Sequence, residues 1–334
     1  MMRKISPASQ AGLTLVELLI AMTLGIILTY GVTEIYINSK QTYRSQDGLA
    51  RMQESARFAL DFIARDIRSS GYVGCSNIKT ITPSVVTTTP SIAAYSLTNV
   101  LNGHHNLGSQ SWTPSLPTGV NSVVDDTDVI TATGGGQCST PLTADMAAVS
   151  DGLSMATANE CGFSQNDVAI VANCSSADIF RITNAPGSSG QLSHADLAVA
   201  YTTSAASEVL TYSSNTYFIR NDATSGLPSL FVLDNTQNAG GSNPIALIEG
   251  VENMQIQYGI DTNADNVPEI YANASGTINW SQVVSTRITL LMRSIEETNA
   301  PSYTFTAGGT TKTYAAGPMR KEFVSTVQIR NRGL

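Results

Sequence analysis

The longest continuous hydrophobic segment of the chain lies close to its N-terminus. Residues 13–37 read LTLVELLIAMTLGIILTYGVTEIYI, and Glu17 is the only charge in the first 21 of them. As an α-helix, about 21 residues span about 31 Å, which matches the hydrocarbon core of a bilayer. Arg3 and Lys4 precede the segment, and no basic residue follows until Lys40. The positive-inside rule therefore predicts a cytoplasmic N-terminus and a chain that continues on the other side of the membrane.

A helical pattern continues beyond this segment. Apolar residues recur at steps of three and four, which predicts a stripe that buries one face of a helix. They are Leu49, Met52, Ala56, Leu60, Ile63 and Ile67. Ser69, Ser70 and Gly71 form a stop signal, with Gly71 as the C-cap candidate. We therefore predict one helix from about residue 13 to residue 70, about 85 Å long at about 1.5 Å per residue.

The rest of the chain contains short segments that predict strands. These segments are 128–133, 167–172, 178–183, 208–212, 216–220, 230–233, 254–260, 283–293 and 323–330. Stretches 80–90 and 109–118 predict loops, residues 134–136 (GGG) predict a mobile turn, and His104-His105 is assigned to a polar loop. We predict an α+β fold, in which a long N-terminal helix with a membrane half and an amphipathic half packs on a mainly antiparallel β-sheet head.

Charge is scarce and unevenly distributed. Charged residues make up 13% of the 334 residues, with 26 acidic against 18 basic side chains and a net charge of −8. Residues 1–75 have a net charge of +2, residues 80–286 have 17 acidic against two basic side chains, and residues 287–334 have a net charge of +4. The acidic body argues against a nucleic-acid binder, which needs a cationic surface. The mean hydropathy of +0.01 excludes a polytopic membrane protein, and the hydroxyl-rich body suits an exported domain.

The residues around Gly12 differ from an ordinary secretory signal. No small-residue cleavage site follows the apolar segment, whereas Ala11-Gly12 lies immediately before it. Glu17 lies inside the segment, where an acid costs about 2.5–3.5 kcal/mol on insertion scales and therefore needs a functional reason. Residues 12–19, GLTLVELL, resemble the class III signal of type IV pilins and type II secretion pseudopilins.

This resemblance implies roles for three residues. The prepilin peptidase would cut after Gly12, the new first residue Leu13 would be N-methylated, and Glu17 would pair with the N-terminal amine of a neighbouring subunit during assembly. Leu13 stands where the family usually has Phe. The alternative is a plain signal anchor in which Glu17 is incidental.

A second segment resembles one particular family. Residues 50–75, which end in RDIRSSGYVGC, are similar to the PilW family of minor pilins. The likeness returns at 160–183, 249–293 and 323–332. It implies a minor pilin that takes part in type IV pilus assembly, helps prime the filament and lies near its tip, with twitching motility and adhesion as the associated processes.

The resemblance also implies partners and a location. The partners are other minor pilins, the major pilin, the prepilin peptidase, the inner-membrane assembly platform and a tip adhesin, with no nucleic acid bound directly. The chain would divide into a leader peptide (1–12), a transmembrane and assembly half of the helix (13–37), an amphipathic half (38–71) and an exported head (72–334). It would cross the bacterial inner membrane once, with a cytoplasmic N-terminus and a periplasmic head, before it enters the pilus.

Four cysteines occur in this predicted exported head: Cys75, Cys138, Cys161 and Cys174. An even number in an oxidising compartment predicts two disulfide bonds, and four cysteines allow three pairings. We favour Cys161–Cys174 with Cys75–Cys138, because the first pair would close a short loop around one predicted strand. Free buried thiols are the alternative, and the absence of C-x2-C spacing argues against a zinc site.

The most distinctive polar cluster is residues 261–269, DTNADNVPE. Its oxygen ligands imitate the start of an EF-hand loop and predict calcium as a ligand. They are the side chains of Asp261, Asn263 and Asp265, the backbone carbonyl of Val267 and the carboxylate of Glu269. The glycine at position 6 and the acid at position 12 of such a loop are missing, and an Asx-rich hairpin turn is the alternative.

No catalytic motif is present in the sequence. A nucleophile elbow, a P-loop and a dinucleotide-binding loop are all missing from the sequence. We therefore expect that the protein is not an enzyme and binds no cofactor other than calcium. Two alternatives to the minor pilin stay open. One is a J-type pseudopilin of a type II secretion system, and the other is a membrane-tethered periplasmic binding module.

Overall fold

The structure is a computed structural model that describes residues 14–86, 95, 97, 99–155, 160–187, 190–236 and 243–332. Its first element is a single α-helix, α1, Leu15–Ser69. The 55 residues of α1 span about 83 Å at about 1.5 Å per residue. Ser70 is the C-cap, and Gly71 follows with φ +74°, a left-handed conformation that glycine adopts without strain. The predicted helix and its stop are confirmed over the described residues.

Strands make up most of the regular structure after α1. They are β1 (Tyr72–Val73), β2 (Ser76–Asn77), β3 (Ser84–Val85), β4 (Leu101–Asn106), β5 (Trp112–Thr113), β6 (Val129–Pro141), β7 (Leu153–Ser154), β8 (Val168–Ala172), β9 (Ala177–Arg181), β10 (Gln191–Leu192), β11 (Glu208–Asn221), β12 (Pro228–Asp234), β13 (Ile245–Glu249), β14 (Val251–Ile260), β15 (Ile270–Asn273), β16 (Val283–Ala300), β17 (Tyr303–Ala307), β18 (Thr310–Tyr314) and β19 (Gly317–Gln328).

Most of these strands belong to two sheets. The larger sheet has nine strands in the order β3-β9-β8-β11-β6-β4-β5, and β12 and β13 continue from β11. The smaller sheet has four strands in the order β15-β14-β16-β19. Their recorded pairings are antiparallel apart from β3 with β9. The predicted α+β fold with a mainly antiparallel head is confirmed, although the head contains two main sheets and not a single meander.

The central strand of the larger sheet joins two segments that the sequence predicts as separate strands. β11 pairs with β8, β6 and β12, and the polar residues at its middle interrupt the hydrophobic pattern without ending the strand. Hydroxyl groups pair across it: Thr133 Oγ1 lies 3.0 Å from Ser214 Oγ, and Thr131 Oγ1 lies 2.7 Å from Thr216 Oγ1. Buried polar residues whose hydroxyl groups pair across strands are compatible with a continuous strand. They interrupt the apolar alternation by which a strand is predicted from sequence.

One face of the second half of α1 enters the core of the head. Its buried residues are Met52, Ala56, Ala59, Ile63, Ala64 and Ile67. They share a core cluster with Leu101 and Ile130 of the larger sheet and with Met254 and Ile288 of the smaller one. Met52, Ala56, Ile63 and Ile67 of the predicted stripe are buried, while Leu49 and Leu60 are half-buried.

Residues 134–136 lie inside β6, so the prediction of a mobile turn there is wrong. A Cβ on Gly134 would lie 2.7 Å from the backbone oxygen of Ser69 and 2.9 Å from the backbone nitrogen of Gly71. The same nitrogen of Gly71 donates to the carbonyl of Thr133 at 2.9 Å. The chain that leaves α1 therefore crosses β6 at backbone contact, which only glycine allows.

Two disulfide bonds form, but the favoured pairing is wrong. Cys75 is bonded to Cys174 and Cys138 to Cys161. Cys161 and Cys174 flank β8 at its opposite ends, and an extended strand of five residues spans about 17 Å. This length exceeds the Cα–Cα distance of about 4.4–6.8 Å that a disulfide bridges.

Candidate assembly surface

The start of α1 combines a helix cap with the acid of the predicted assembly motif. The backbone N–H of Glu17 donates to Thr14 Oγ1 at 3.3 Å, and the hydroxyl of Thr14 donates to Glu17 Oε2 at 3.5 Å. Thr at the N-cap followed three residues later by Glu is the composition of a capping box. Glu17 therefore also stabilises the first turn, a local role that our sequence reasoning missed although the T-x-x-E pattern signals it. Gly12 and Leu13 lie outside the described residues.

The first half of α1 exposes its large apolar side chains. From Leu15 to Ile37 these side chains are 48–76% exposed. The most apolar 18-residue stretch of the helix has a mean hydropathy of 2.1 and contains no buried residue. Among the described residues, α1 is the one helix long and apolar enough to cross a membrane. An apolar surface of this extent needs a partner, either lipid or other helices.

Asp66 of the RDIR segment connects the second half of α1 to the larger sheet. Its Oδ2 accepts hydrogen bonds from the hydroxyl of Tyr217 and from Nδ2 of Asn215, both at 2.7 Å. Burial, together with the charge of Asp66, raises the pKa of Tyr217 well above its usual value, so the phenol stays a donor. The helix is thus held to β11 by a charged acceptor as well as by apolar packing.

The C-terminal end of α1 is held by the last described residues of the chain. Nδ2 of Asn331 donates to the backbone oxygens of Ser69 and Ser70 at 3.4 and 3.2 Å. The final carbonyls of a helix have no partner inside the helix, so this amide supplies one. The last described residues and the end of α1 therefore lie together at one side of the head.

The loop 261–269 brings three predicted calcium ligands together. One carboxylate oxygen each of Asp261, Asp265 and Glu269 lie within 4.8 Å of one another. Asp261 is buried, whereas Asp265 and Glu269 are exposed. The other two predicted ligands, Asn263 and Val267, donate hydrogen bonds to the two carboxylate oxygens of Asp265, from Nδ2 at 3.1 Å and from the backbone N–H at 2.8 Å.

The carboxylate of Asp261 is held inside this loop by backbone donors. Its Oδ1 accepts from the N–H of Ala264 at 2.6 Å, and its Oδ2 accepts from the N–H of Asn266 at 2.9 Å. Desolvation opposes the charged form, but the backbone hydrogen bonds outweigh it and hold the pKa of Asp261 below its usual value. The loop thus has the geometry of an Asx-rich turn, and calcium binding stays a prediction.

His104 and His105 lie in β4, so their assignment to a polar loop is wrong. Nδ1 of His105 lies 2.8 Å from Asp128 Oδ1, and this hydrogen bond raises the pKa of His105 against the opposing effect of burial. His104 is buried, and burial lowers its pKa. The other oxygen of Asp128 accepts from the backbone N–H of Ile256 in β14 at 2.8 Å. The His105–Asp128 pair therefore joins the larger sheet to the smaller one.

Two family models match parts of the chain. The family model described as Type IV Pilus-assembly protein W matches residues 216–331. The resemblance to the PilW family is confirmed. The model described as Prokaryotic N-terminal methylation motif matches residues 7–31, a range that includes Gly12 and Glu17. Together the two matches support a minor pilin in type IV pilus assembly, and the motif with the apolar helix indicates membrane anchoring.

The PilW match covers the structural centre of the head. It begins inside β11, includes the whole smaller sheet and ends at Asn331, which contacts the end of α1. No curated protein matches the chain. Among solved structures, the Type IV-like pilin TTHA1219 from Thermus thermophilus aligns with a TM-score of 0.37 and 10% identity, covering 85% of this chain and 99% of that chain.

Proposed function

We propose that this minor pilin helps to prime the pilus and lies near its tip, in a structural role without catalysis. The observation that supports the proposal is the contrast along α1. Its first half presents exposed apolar side chains, while one face of its second half is buried in the head. A subunit of this shape can leave the bilayer only if other helices cover the same apolar surface, so exit from lipid is coupled to assembly.

Glu17 supplies the register in this proposal. In a lone membrane helix its carboxylate lacks a charged partner, which is costly in a medium of low dielectric constant. In a bundle it can meet the free amine of a processed neighbour, and the ion pair offsets part of the desolvation. The ion pair therefore stabilises the bundle most when the amine and Glu17 lie at the same level along the helix axes.

We infer a periplasmic head and a cytoplasmic N-terminus before assembly. Arg3 and Lys4 precede the apolar segment, and the two disulfide bonds suit an oxidising compartment. The partners in this proposal are other minor pilins and the major pilin, which would cover the apolar half of α1. The prepilin peptidase, the inner-membrane assembly platform and a tip adhesin would act on or beside the same subunit.

The experiment replaces Glu17 by Ala in cells and compares it with Glu34→Ala, a change of the same kind on the same helix. Both variants should be cleaved after Gly12, as mass spectrometry of the mature N-terminus would show. Glu17→Ala should reduce the number of surface pili, and Glu34→Ala should not. Normal surface pili in the Glu17→Ala strain would refute the assembly role. Replacement of Gly12 should block maturation altogether.

Two further measurements separate the alternatives. A deletion strain should lose surface pili and keep type II secretion. The reverse result would favour the J-type pseudopilin. A head that lacks residues 1–40 should not rescue the deletion strain. Rescue would favour a membrane-tethered binding module. Gold-labelled antibodies against the head should mark pilus ends, and labels along the whole shaft would contradict the tip location.

Calcium binding by the loop 261–269 is tested on the full chain in detergent. Isothermal titration with calcium should release heat, and the thermal midpoint should rise at millimolar calcium. Asp265→Asn is the diagnostic variant, and Asp222→Asn, in a different exposed turn, is its matched control. The absence of both heat and stabilisation in the unsubstituted protein would refute the prediction.

A further inference from the structure

The last described turn of the chain carries a buried arginine. Residues Arg330–Arg332 form one 3-10 turn against the end of α1, where Asn331 bonds the carbonyl of Ser70. Arg332 is only 2% exposed, whereas Arg330 in the same turn is exposed. The two arginines on either side of Asn331 therefore have opposite surroundings.

Arg332 has few partners for a buried cation. A guanidinium group carries five N–H donors. Within the described part of the chain, Nη1 of Arg332 donates to the carbonyl of Val283 at 3.2 Å, and no carboxylate forms an ion pair with the guanidinium. Burial lowers the pKa of Arg332 to about 10, with no opposing contribution from an acid.

Arg320 shows how this head otherwise treats a buried arginine. Its Nε and Nη2 donate to the two carboxylate oxygens of Glu252 at 2.6 and 3.1 Å, and its Nη1 donates to the carbonyl of Ala315 at 2.7 Å. Bidentate pairing of this kind is the usual way to offset the desolvation of a guanidinium. Arg332 is also buried, but among the described residues it has no carboxylate partner that corresponds to Glu252.

Arg332 lines a cleft between the chain that leaves α1 and the turn before β16. The cleft has a volume of about 420 Å³, and its lining includes Lys79, Ile81, Thr82, Leu97, Ser281 and Arg332. Two of these residues are cationic and two are aliphatic. The lining of the cleft thus combines two cationic side chains with an aliphatic surface.

We propose that this cleft binds a carboxylate joined to a short aliphatic chain, with the carboxylate on the guanidinium of Arg332. The planar fork of arginine matches the two oxygens of a carboxylate, which would supply the pairing that Glu252 supplies to Arg320. A phosphate is less suitable, because it is a more strongly hydrated anion and the aliphatic side chains Ile81 and Leu97 offer it no donor. These aliphatic side chains fit the hydrocarbon part of the ligand instead. The site goes beyond the pilin role and does not depend on it.

The test uses the full chain in detergent, with sodium butyrate as the probe. Butyrate should raise the thermal midpoint in a saturable way, while butyramide and sodium chloride at equal ionic strength should not. Arg332→Met should weaken the apparent Kd for butyrate at least about tenfold, since it removes a charged hydrogen-bond donor from the cleft. Arg330→Met makes the same substitution and charge change in the same turn, and it should leave butyrate binding unchanged.

A second variant protects the test if Arg332→Met does not fold. Thr82 is an exposed residue of the rim, and Thr82→Trp should reduce butyrate binding by filling the cleft while Arg332 stays in place. Equal stabilisation by butyrate and butyramide would overturn the proposal. So would unchanged butyrate binding in Arg332→Met, because a purely structural arginine would shift the midpoint equally with and without the anion.

Discussion

The two halves of α1 have opposite surfaces although they belong to one continuous helix. Between Leu15 and Ile37 the large apolar side chains are exposed, and the first half makes no core contact. Between Met52 and Ile67 one face is fully buried, and three of its six buried residues are alanines. Small side chains allow the helix to approach the two sheets closely, whereas the large aliphatic side chains of the first half lie ready for partners outside the subunit.

This difference shows that hydrophobicity alone does not say where a helix packs. The first half is the more apolar one, yet it contributes nothing to the core of the head. The second half is amphipathic, and it is fixed by core packing, by Asp66 and by the crossing of the chain over β6. The stability of the isolated subunit should therefore depend on the second half, and its assembly on the first.

The largest expected effect comes from a pair of matched isoleucines. Ile63 is fully buried, and Ile63→Ala should lower the free energy of unfolding of the head by about 2–5 kcal/mol through lost burial and a cavity. Ile26 is 70% exposed, and Ile26→Ala should leave the unfolding free energy of the head unchanged. Denaturant unfolding in detergent, followed by the intrinsic fluorescence of Trp112 and Trp280, measures both. Equal losses in the two variants would contradict the division of α1.

The next effect concerns the disulfide bond that follows the packed half. Removing Cys75–Cys174 by a double alanine substitution should cost about 2–4 kcal/mol of unfolding free energy, because the unfolded chain gains entropy. The bond closes a sequence separation of 99 residues, against 23 for Cys138–Cys161. In the chain-entropy model the longer loop is worth about 1 kcal/mol more. A greater loss from the Cys138–Cys161 variant would argue against this order.

A smaller effect tests the polar attachment of the second half. Asp66→Ala should lower the unfolding free energy by about 1.5–3 kcal/mol, the range for a hydrogen bond to a charged group, since Tyr217 and Asn215 both lose their acceptor. The control is Asp61→Ala on the exposed face, where the carboxylate lies 3.8 Å from Arg57. Such an exposed pair contributes about 0–1 kcal/mol. The comparison fails if the two variants lose the same stability.

The smallest effect is a pH dependence that belongs to the head alone. Asp128 raises the pKa of folded His105, so the folded state holds the proton more tightly than the unfolded chain. This stabilisation is fully present below the unfolded pKa of about 6.5 and is lost as the pH rises through the higher folded value. The stability advantage of the unsubstituted protein over His105→Gln should therefore shrink as the pH rises from about 6.5 through the raised pKa of folded His105. An advantage that grows with pH would contradict the assignment.

Local signals explain which parts of the fold are predictable. The helix, its glycine stop and most of the strands follow from periodicity and turn residues, which act over a few positions. The Asx turn at 261–269 is one of two interpretations that the same residues allow, and the geometry supports it. The hydroxyl pairs in the middle of β11 interrupt the apolar pattern, so the sequence predicts two strands where the structure has one.

Contacts between distant segments explain the errors. The pairing of Cys75 with Cys174 depends on where the turn after β8 lies. Gly134 has no room for a side chain because the chain leaving α1 passes 2.7 Å from the position of its Cβ. His105 finds Asp128 across the larger sheet. None of these neighbours is close in sequence, so spacing and composition carry no record of them.

The sequence by itself determined an apolar helix with one acid near its start, and a strand-rich head with an even number of cysteines. It did so because membrane insertion, helix capping and charge distribution depend on local composition. Only the tertiary structure decided which half of α1 is covered, which cysteines meet and which arginine is buried away from any carboxylate of the described residues. Those outcomes depend on the packing of segments that lie far apart in the sequence, and packing is a property of the whole fold.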